Sequence, residues 1–400
     1  MASIAISDTF LVRMGENKKK ASQKIIINNV VPLNNGDVAL FLSLYRILLK
    51  NGYSVKIAAY NYDTVVKEYP KMPFIPELAQ GFLFRKLPWL KPFILPFLFL
   101  LSRDYRKADI IIGAPGGYVN SYYSIKSSLS IFKVAKRFGK KTAIYAQSVG
   151  PLNEKDSLFF KKLMVKSIDF VLIRDAFSNQ VMESLKIPTN KYLQTKDAAF
   201  LLGYQPAERT TSKKIAISVR KWEDDNRSVE AFKKMIAALA RLAIDEGYEV
   251  DFLSTCQGLS FYKNDALVAA EIKSELEETY QSKVNVLADY YNFHEFYELL
   301  GNYELVIGTR LHMCITALTR GIPALNISYE VKGKECYNYL DLAEYSIDYN
   351  ESIESAMTTF QVFLMNQEKI CEHLKSKIPQ TALEVEFDFK RFETETLTSE

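Results

Sequence analysis

Histidine is nearly absent from this chain, with three in 400 residues, and tryptophan is rarer still, with two. The four cysteines, Cys256, Cys314, Cys336 and Cys371, show no CxxC spacing. That excludes a zinc ribbon and a disulfide framework and fits reduced thiols of the cytoplasm. No His, Cys, Asp and Glu cluster at metal-ligand spacing occurs, so no metal is expected. Charge of one sign is lacking too: 51 Lys and Arg stand against 47 Asp and Glu. A net charge of +4 is far below what a protein needs to neutralise many phosphates, so no nucleic-acid partner is expected. Neither a GxGxxG nor a Walker A pattern is present, which argues against a dinucleotide or P-loop site.

Long apolar runs are missing as well. The N-terminal "MASIAISDTFLVRMGENKKKASQK" has no signal-peptide core and reads as a frayed leader. The most apolar stretch, "GFLFRKLPWLKPFILPFLFLLSRD", is interrupted by Arg85, Lys86, Lys91, Pro88, Pro92 and Pro96. Its unbroken tail is about half of the roughly 20 residues that a spanning helix requires. Two readings remain for residues 82–101: a buried helix or lid, or a basic-flanked segment that dips into a membrane surface. The expected location is the cytoplasm, with peripheral contact on the inner face of the membrane under the second reading.

What is present is an alternation of short β-branched runs with longer amphipathic stretches. "KIIINNVV", "YSVKIAAY", "ADIIIGAPGG" and "KTAIYAQSVGP" are strands; "GDVALFLSLYRILLKNG" and "SLSIFKVAKRFGK" are helices closed by glycine. Such βαβ grammar predicts parallel sheets. The pattern breaks at "LGYQPAERTTSKK" and resumes with "KIAISVR". The expectation is therefore an α/β chain of two Rossmann-like domains, 1–205 and 206–380, with a peripheral tail at 381–400. Two such domains leave a cleft at the C-terminal ends of their strands, where ligands bind.

The loops facing that cleft carry the chemistry. In "VIGTRLHMCITALTRGIP" a strand ends at Ile307, Gly308 and Thr309 turn, and a helix follows, with Thr309 a candidate cap. A helix N-terminus attracts anions, and Arg310 adds a planar fork suited to carboxylate or phosphate. His312 in the same first turn can serve as a proton donor near neutrality. The plain alternative is that Arg310 pairs with a nearby carboxylate and His312 is a satisfied core group. Arg220 and Lys221 end another strand, where charge needs a partner. Either a ligand or an interdomain salt bridge would supply one. "SYEVKG" places Tyr329, Glu330 and Lys332 beside the Arg310 turn. In the first domain, Gly116 and Gly117 permit close backbone approach, while Asp37, Asn120 and Gln147 offer directional hydrogen bonds to a sugar.

These motifs together resemble the polysaccharide pyruvyl transferase family from about Ile25 to Leu340. The markers are "NNGDVAL", "GAPGGYVNS", "YAQSVGP", "IRD" at Arg174 and Asp175, "KDAAF" with Asp197, and above all "VIGTRLHMCITALTRGIPALNISYEVKG". The resemblance implies a GT-B-like arrangement with an interdomain cleft, phosphoenolpyruvate as co-substrate and no cofactor. It implies transfer of a pyruvyl group, as a ketal, to a saccharide or lipid-linked oligosaccharide of a bacterial capsular, exopolysaccharide or cell-wall polymer. Catalysis is then assigned to His312 and Arg310, and donor binding to Arg220, Arg310, Thr309, Lys332 and Lys221. Acceptor binding falls to Asn35, Asp37, Gly116, Gly117, Asn120, Gln147 and Glu330. Glu330, Asp37 and Asp197 are the candidates for general base. The rival reading is a nucleotide-sugar-dependent glycosyltransferase of the same fold.

Overall fold

The first strand, KIIINNV, is buried at every position after Lys24, which demands cover on both faces and is the mark of a parallel sheet between helical layers. A computed structural model describes residues 23–79, 84, 86–208, 212–223 and 227–398. The leader expected at 1–22, part of the apolar segment (82, 83 and 85) and part of the polar break (209–211) lie outside the described residues.

The chain runs β1 (Lys24–Val30), α1 (Asn35–Lys50), β2 (Ser54–Ala59), α2 (Tyr62–Glu68), β3 (Phe74–Pro76), α3 (Lys91–Leu101), α4 (Arg103–Lys107) and β4 (Ile110–Gly113). It continues β5 (Gly116–Val119), α5 (Ile125–Arg137), β6 (Lys141–Val149), α6 (Glu154–Ser167), β7 (Phe170–Ile173), α7 (Ala176–Ser184) and β8 (Tyr192–Gln194). The second domain holds β9 (Lys214–Ser218), α8 (Val229–Asp245), β10 (Glu249–Phe252), α9 (Ala266–Ser274), α10 (Glu278–Gln281), β11 (Val284–Val286) and α11 (Phe293–Leu300). Then follow β12 (Leu305–Gly308), α12 (Leu311–Thr319), β13 (Ala324–Ser328), α13 (Val331–Tyr339), β14 (Ser346–Asp348), α14 (Ile353–Met365) and α15 (Gln367–Glu393).

The first sheet is ordered β3-β2-β1-β4-β6-β7-β8, with β5 paired to β6, and the second β11-β10-β9-β12-β13-β14. Neighbouring strands are parallel in both. Each order reverses between its first and fourth strand, β1 and β4 in one sheet and β9 and β12 in the other. A crevice opens at that reversal because the flanking connections leave to opposite sides. The stretch "GGYV", expected as loop, is instead the short strand β5, in register with β6 through Gly116 opposite Gln147 and Val119 opposite Val149.

Two apolar cores result. One lies between the first sheet and the layer of α3, α5, α6 and α7, built from Leu95, Phe99, Phe132, Phe160 and Met182 against Ile26, Ile111 and Val171. The other is continuous across the domains, joining α1 and the opposite face of the first sheet to the second sheet and α15. Over the described residues 381–398, the peripheral tail expected at 381–400 is not what forms. Residues 381–393 are the second half of α15, with Val385, Phe389 and Phe392 buried. Phe389 and Phe392 rest edge-on against Tyr145 at 6.0 and 5.1 Å, and Tyr53 Oη donates to Glu393 at 2.7 Å. The acidic residues that suggested a solvated tail, Glu384 and Glu386, instead pair with Lys196 and Lys50 of the first domain.

Within the apolar segment, Leu95 and Phe99 are buried while Phe93 and Phe97 face solvent. Among the described residues, no helix is long and apolar enough to cross a membrane.

Candidate active site

The two sheet reversals face each other across one cavity of about 580 Å³, within the range that small-molecule sites occupy. From the first domain it is lined by the loop after β1 and the start of α1, including Asn34 and Asp37, by Ala114 to Tyr118, and by Arg174 at the end of β7. The second domain contributes Arg220 after β9 and Arg310 to His312 after β12, with Tyr329 and Lys332 beyond β13.

α12 begins at Leu311, with Arg310 at the cap position in extended conformation and no side chain capping the helix. Contrary to the expectation from sequence, Thr309 neither caps the helix nor reaches the donor site: it is buried short of the cavity wall, and its hydroxyl finds no partner among the described residues. The Arg310 guanidinium faces the cavity but forks onto Asp265, its Nε donating to Oδ2 at 2.8 Å and its Nη2 to Oδ1 at 2.7 Å. The alternative of a neighbouring carboxylate is thus realised, 45 residues away in sequence. Arg310 becomes a fixed charge with its strongest donor pair already engaged.

His312 stands on the first turn of α12, and its Nε2 lies 3.3 Å from Asp197 Oδ2 and 3.3 Å from Arg174 Nη1. Asp197 and Arg174 both belong to the first domain, so this cluster exists only when the domains meet. Arg174 Nη1 donates to Asp197 Oδ2 at 2.7 Å and its Nε to Ser148 Oγ at 2.8 Å. Burial alone would raise the Asp197 carboxyl, but Arg174 and then His312 hold it well below the usual carboxylate range. Asp197 is consequently an anchor that orients the imidazole, and it is too weak a base to take a proton from a hydroxyl.

Asp37 shows the opposite balance. Burial pushes its carboxyl up, against the lowering pull of His312, Arg174, Arg310 and Lys332. It lines the cavity and is the base candidate best matched to its surroundings. Glu330 lies 2.7 Å from Lys332 Nζ; burial would raise it, but Lys332 and Arg220 keep it below the ordinary range.

Arg220 is clamped between aromatic rings, its guanidinium carbon 4.7 Å from the Trp222 centroid and 4.7 Å from that of Tyr329, and it also donates to the Tyr329 hydroxyl. Such stacking leaves the in-plane N–H groups directed at the cavity. Lys221, adjacent in sequence, turns to solvent and pairs with Glu223 at 2.7 Å. It is not a donor-site residue in this structure, because alternate positions at a strand end point to opposite sides.

On the acceptor side, Gly116 and Gly117 line the cavity as expected. An added Cβ on Gly117 would meet Arg174 Nη2 at 3.6 Å and Lys332 Nζ at 3.8 Å, so the glycine shelf and the cations share one wall. Asn35, Asn120, Gln147 and Glu330 do not line it. Asn35 ties the domains together through its side-chain N–H donated to Tyr291 O at 2.9 Å, and Asn34 takes its place at the wall. Asn120 donates to Gly117 O at 2.7 Å and holds the turn, and Gln147 donates to Ser148 O at 2.7 Å from beneath the shelf. The "IRD" motif alone does not give Arg174 a ligand role, yet the residue lines the cavity. The signal existed: like Arg220, it is a charge at the end of a buried strand. Burial also pushes the thiol of Cys256, at the cavity wall, up to about 11, which leaves it an inert lining group.

Residues 34–331 match the family model described as polysaccharide pyruvyl transferase. Over 298 residues the chain is 26% identical to the amylovoran biosynthesis protein AmsJ of Erwinia amylovora, covering 69% of this chain and 70% of that one. A glycosyltransferase from Rickettsia africae superposes with a TM-score of 0.61 at 11% identity, over 95% of this chain and 100% of the other. HepE of Anabaena, solved with UDP, gives 0.60 at 10% identity, over 93% and 100%. At such identities the likeness carries the fold alone: two Rossmann-like domains in the GT-B arrangement.

Proposed function

This chain belongs to the polysaccharide pyruvyl transferase family, and we propose that it moves the enolpyruvyl group of phosphoenolpyruvate onto two hydroxyls of one sugar as a ketal. The sugar belongs to a bacterial exopolysaccharide, capsular or cell-wall polymer or to its lipid-linked precursor. The observation that carries the reading is the composition of a single cavity: Arg174, Arg220, Arg310 and Lys332 surround a histidine held by Asp197 and a carboxyl, Asp37, that burial raises.

Phosphoenolpyruvate carries its carboxylate and its phosphate on the same carbon. Arg220 and Lys332, with the in-plane donors that Arg174 does not spend on Asp197 and Ser148, are suited to hold them, and Arg310 adds a fixed positive field. With Nε2 beside Asp197, His312 has Nδ1 left for proton transfer. In the proposed reaction His312 gives a proton to the methylene carbon, which becomes a methyl group and leaves a cationic carbon beside the phosphate oxygen. A sugar hydroxyl attacks that carbon as Asp37 takes its proton. The carbon–oxygen bond to phosphate then breaks, and a second hydroxyl closes the ketal. Asp37 passes the first hydroxyl proton to the departing phosphate and the second hydroxyl proton restores His312, so the balance closes without redox chemistry.

The test is to incubate purified protein with phosphoenolpyruvate or a UDP-sugar and a panel of synthetic and lipid-linked glycosides. Phosphate release and a product heavier by one pyruvate less one water are expected. Turnover of the UDP-sugar with none of phosphoenolpyruvate across the panel would replace this reading by glycosyl transfer.

A further inference from the structure

The helical layer over the outer face of the first sheet combines two features that do not serve the cavity chemistry. The first is an apolar stripe. α3 turns Leu95 and Phe99 into the core, whereas Trp89 just before it and Phe93 and Phe97 within it are 66, 75 and 61% exposed, followed by exposed Leu100 and Leu101. Positions 93, 97, 100 and 101 fall on one helix face. Five large apolar side chains left contiguous in water mark a contact surface.

The second feature is charge. Residues 86–169 carry fifteen Lys and Arg against five Asp and Glu, while the whole chain is only +4, so the remainder is net negative. α5 packs against α3, and α6 against α5. α5 exposes Lys126, Lys133 and Arg137. α6 exposes Lys155, Lys162 and Lys166 on the same face as exposed Leu158 and Val165. Of the few acids present, Asp169 already pairs with Lys136.

We propose that this face seats on an anionic lipid bilayer, with the α3 stripe entering the interfacial zone and the cations of α5 and α6 lying over the headgroups. An apolar stripe beside a lysine-rich surface is the composition that interfacial binding requires, because burial and attraction to anionic lipid act together. A second copy of this chain is the poorer occupant, since it would bring one cationic face against another. The stripe also begins at the cavity rim. Lys91 Nζ donates to Ser127 O at 3.0 Å and to Ser127 Oγ at 2.8 Å, and Ser127 and Ser128 line the cavity. On the proposed function, this contact sets the cavity mouth beside the membrane, where a lipid-linked acceptor would present its sugar.

Flotation of the full chain with phosphatidylcholine vesicles, and with vesicles of an equal mixture with phosphatidylglycerol, tests the inference. Binding to the anionic vesicles alone is expected, weakening with salt. A reduction of about tenfold or more is expected both for the triple variant Trp89→Ser, Phe93→Ser, Phe97→Ser and for Lys133→Glu with Arg137→Glu. The charge variant and the salt dependence of the wild type decide the matter even if the triple variant folds poorly. No flotation of the wild type, equal flotation with neutral vesicles, or full binding by a folded triple variant would overturn it. So would a dimer that the triple variant dissolves in the absence of vesicle binding. Flotation needs neither donor nor acceptor, so its failure would leave pyruvyl transfer standing, and failure of turnover would leave the lipid contact standing.

Discussion

Gly36 of the first domain lies against the imidazole of His312 in the second: a Cβ on residue 36 would come within 2.9 Å of His312 Cβ and 3.1 Å of Nδ1. Helices α1 and α12 approach this closely because residue 36 carries no side chain. The glycine therefore seats the histidine, and the seat is built from both domains.

Replacing it is expected to cost catalysis more than stability. In Gly36→Ala the ring must move off Asp197, and a displacement of order 1 Å at a reacting group lowers kcat about 10²-fold. Steady-state kinetics beside a thermal melt reads both effects. Unchanged kcat would show that His312 works without this seat.

Asp37→Asn separates activity from stability. As a base, Asp37 must be ionised, so kcat/KM should rise with pH through its raised pKa, and the variant should lose that limb together with about 10²–10⁴-fold in rate. The stability sign is the reverse. A folded-state pKa above the unfolded value of about 3.9 makes the native state the better proton binder, so the contribution of Asp37 to stability falls as pH rises through that window. The variant should melt higher than the wild type at neutral pH. A lower melting temperature, or an unshifted pH profile, would count against this assignment.

Asp197 and Arg174 should behave as one unit. Asp197→Asn leaves a buried guanidinium without its carboxylate, a loss of about 3–5 kcal/mol, and pairing it with Arg174→Met should recover part of that loss. Because the Asp197 carboxyl is depressed on folding, its contribution is fully present above about pH 4 and disappears as pH falls toward the lower folded value. Denaturant titrations of the single and double variants across acid pH measure both; strict additivity would argue against the pairing.

Arg220 and Lys221 are neighbours with opposite expectations. Arg220→Lys removes the planar fork and its stacking on Trp222 and Tyr329, so KM for phosphoenolpyruvate should rise about tenfold or more. Lys221→Ala, which only releases a solvent pair with Glu223, should leave it within about twofold. Equal effects would mean that the strand end is oriented otherwise.

Phe392→Ala tests the closing helix. Deleting a fully buried phenylalanine costs about 3–5 kcal/mol, read by chemical denaturation. A loss confined to a fraction of a kcal/mol would return residues 381–393 to the surface.

Much of the architecture is legible without coordinates, because a β-branched run buried on both faces and an amphipathic stretch closed by glycine each report burial locally. "KIIINNVV" and "GDVALFLSLYRILLKNG" identify β1 and α1 in this way. The Gly-Thr-Arg-Leu-His turn likewise declares a strand end and a helix start, which places Arg310 and His312 at the mouth of a cleft. Acidic composition misleads over residues 381–398, since Glu384 and Glu386 are partnered by Lys196 and Lys50 of the first domain, and the buried Val385, Phe389 and Phe392 set the helix's position.

Fold class, the position of the cleft and the arrival of an arginine and a histidine in it follow from periodicity and turn chemistry within a few residues. What those groups can do is set by long-range packing. It gave Arg310 to Asp265, put Arg174 and Asp197 of one domain on His312 of the other, and left Asp37 ringed by cations yet raised by burial. A side chain's protonation and availability depend on the groups within a few ångströms of it, and here those groups are 45 (Arg310 to Asp265) to 295 (Asp37 to Lys332) residues away along the chain.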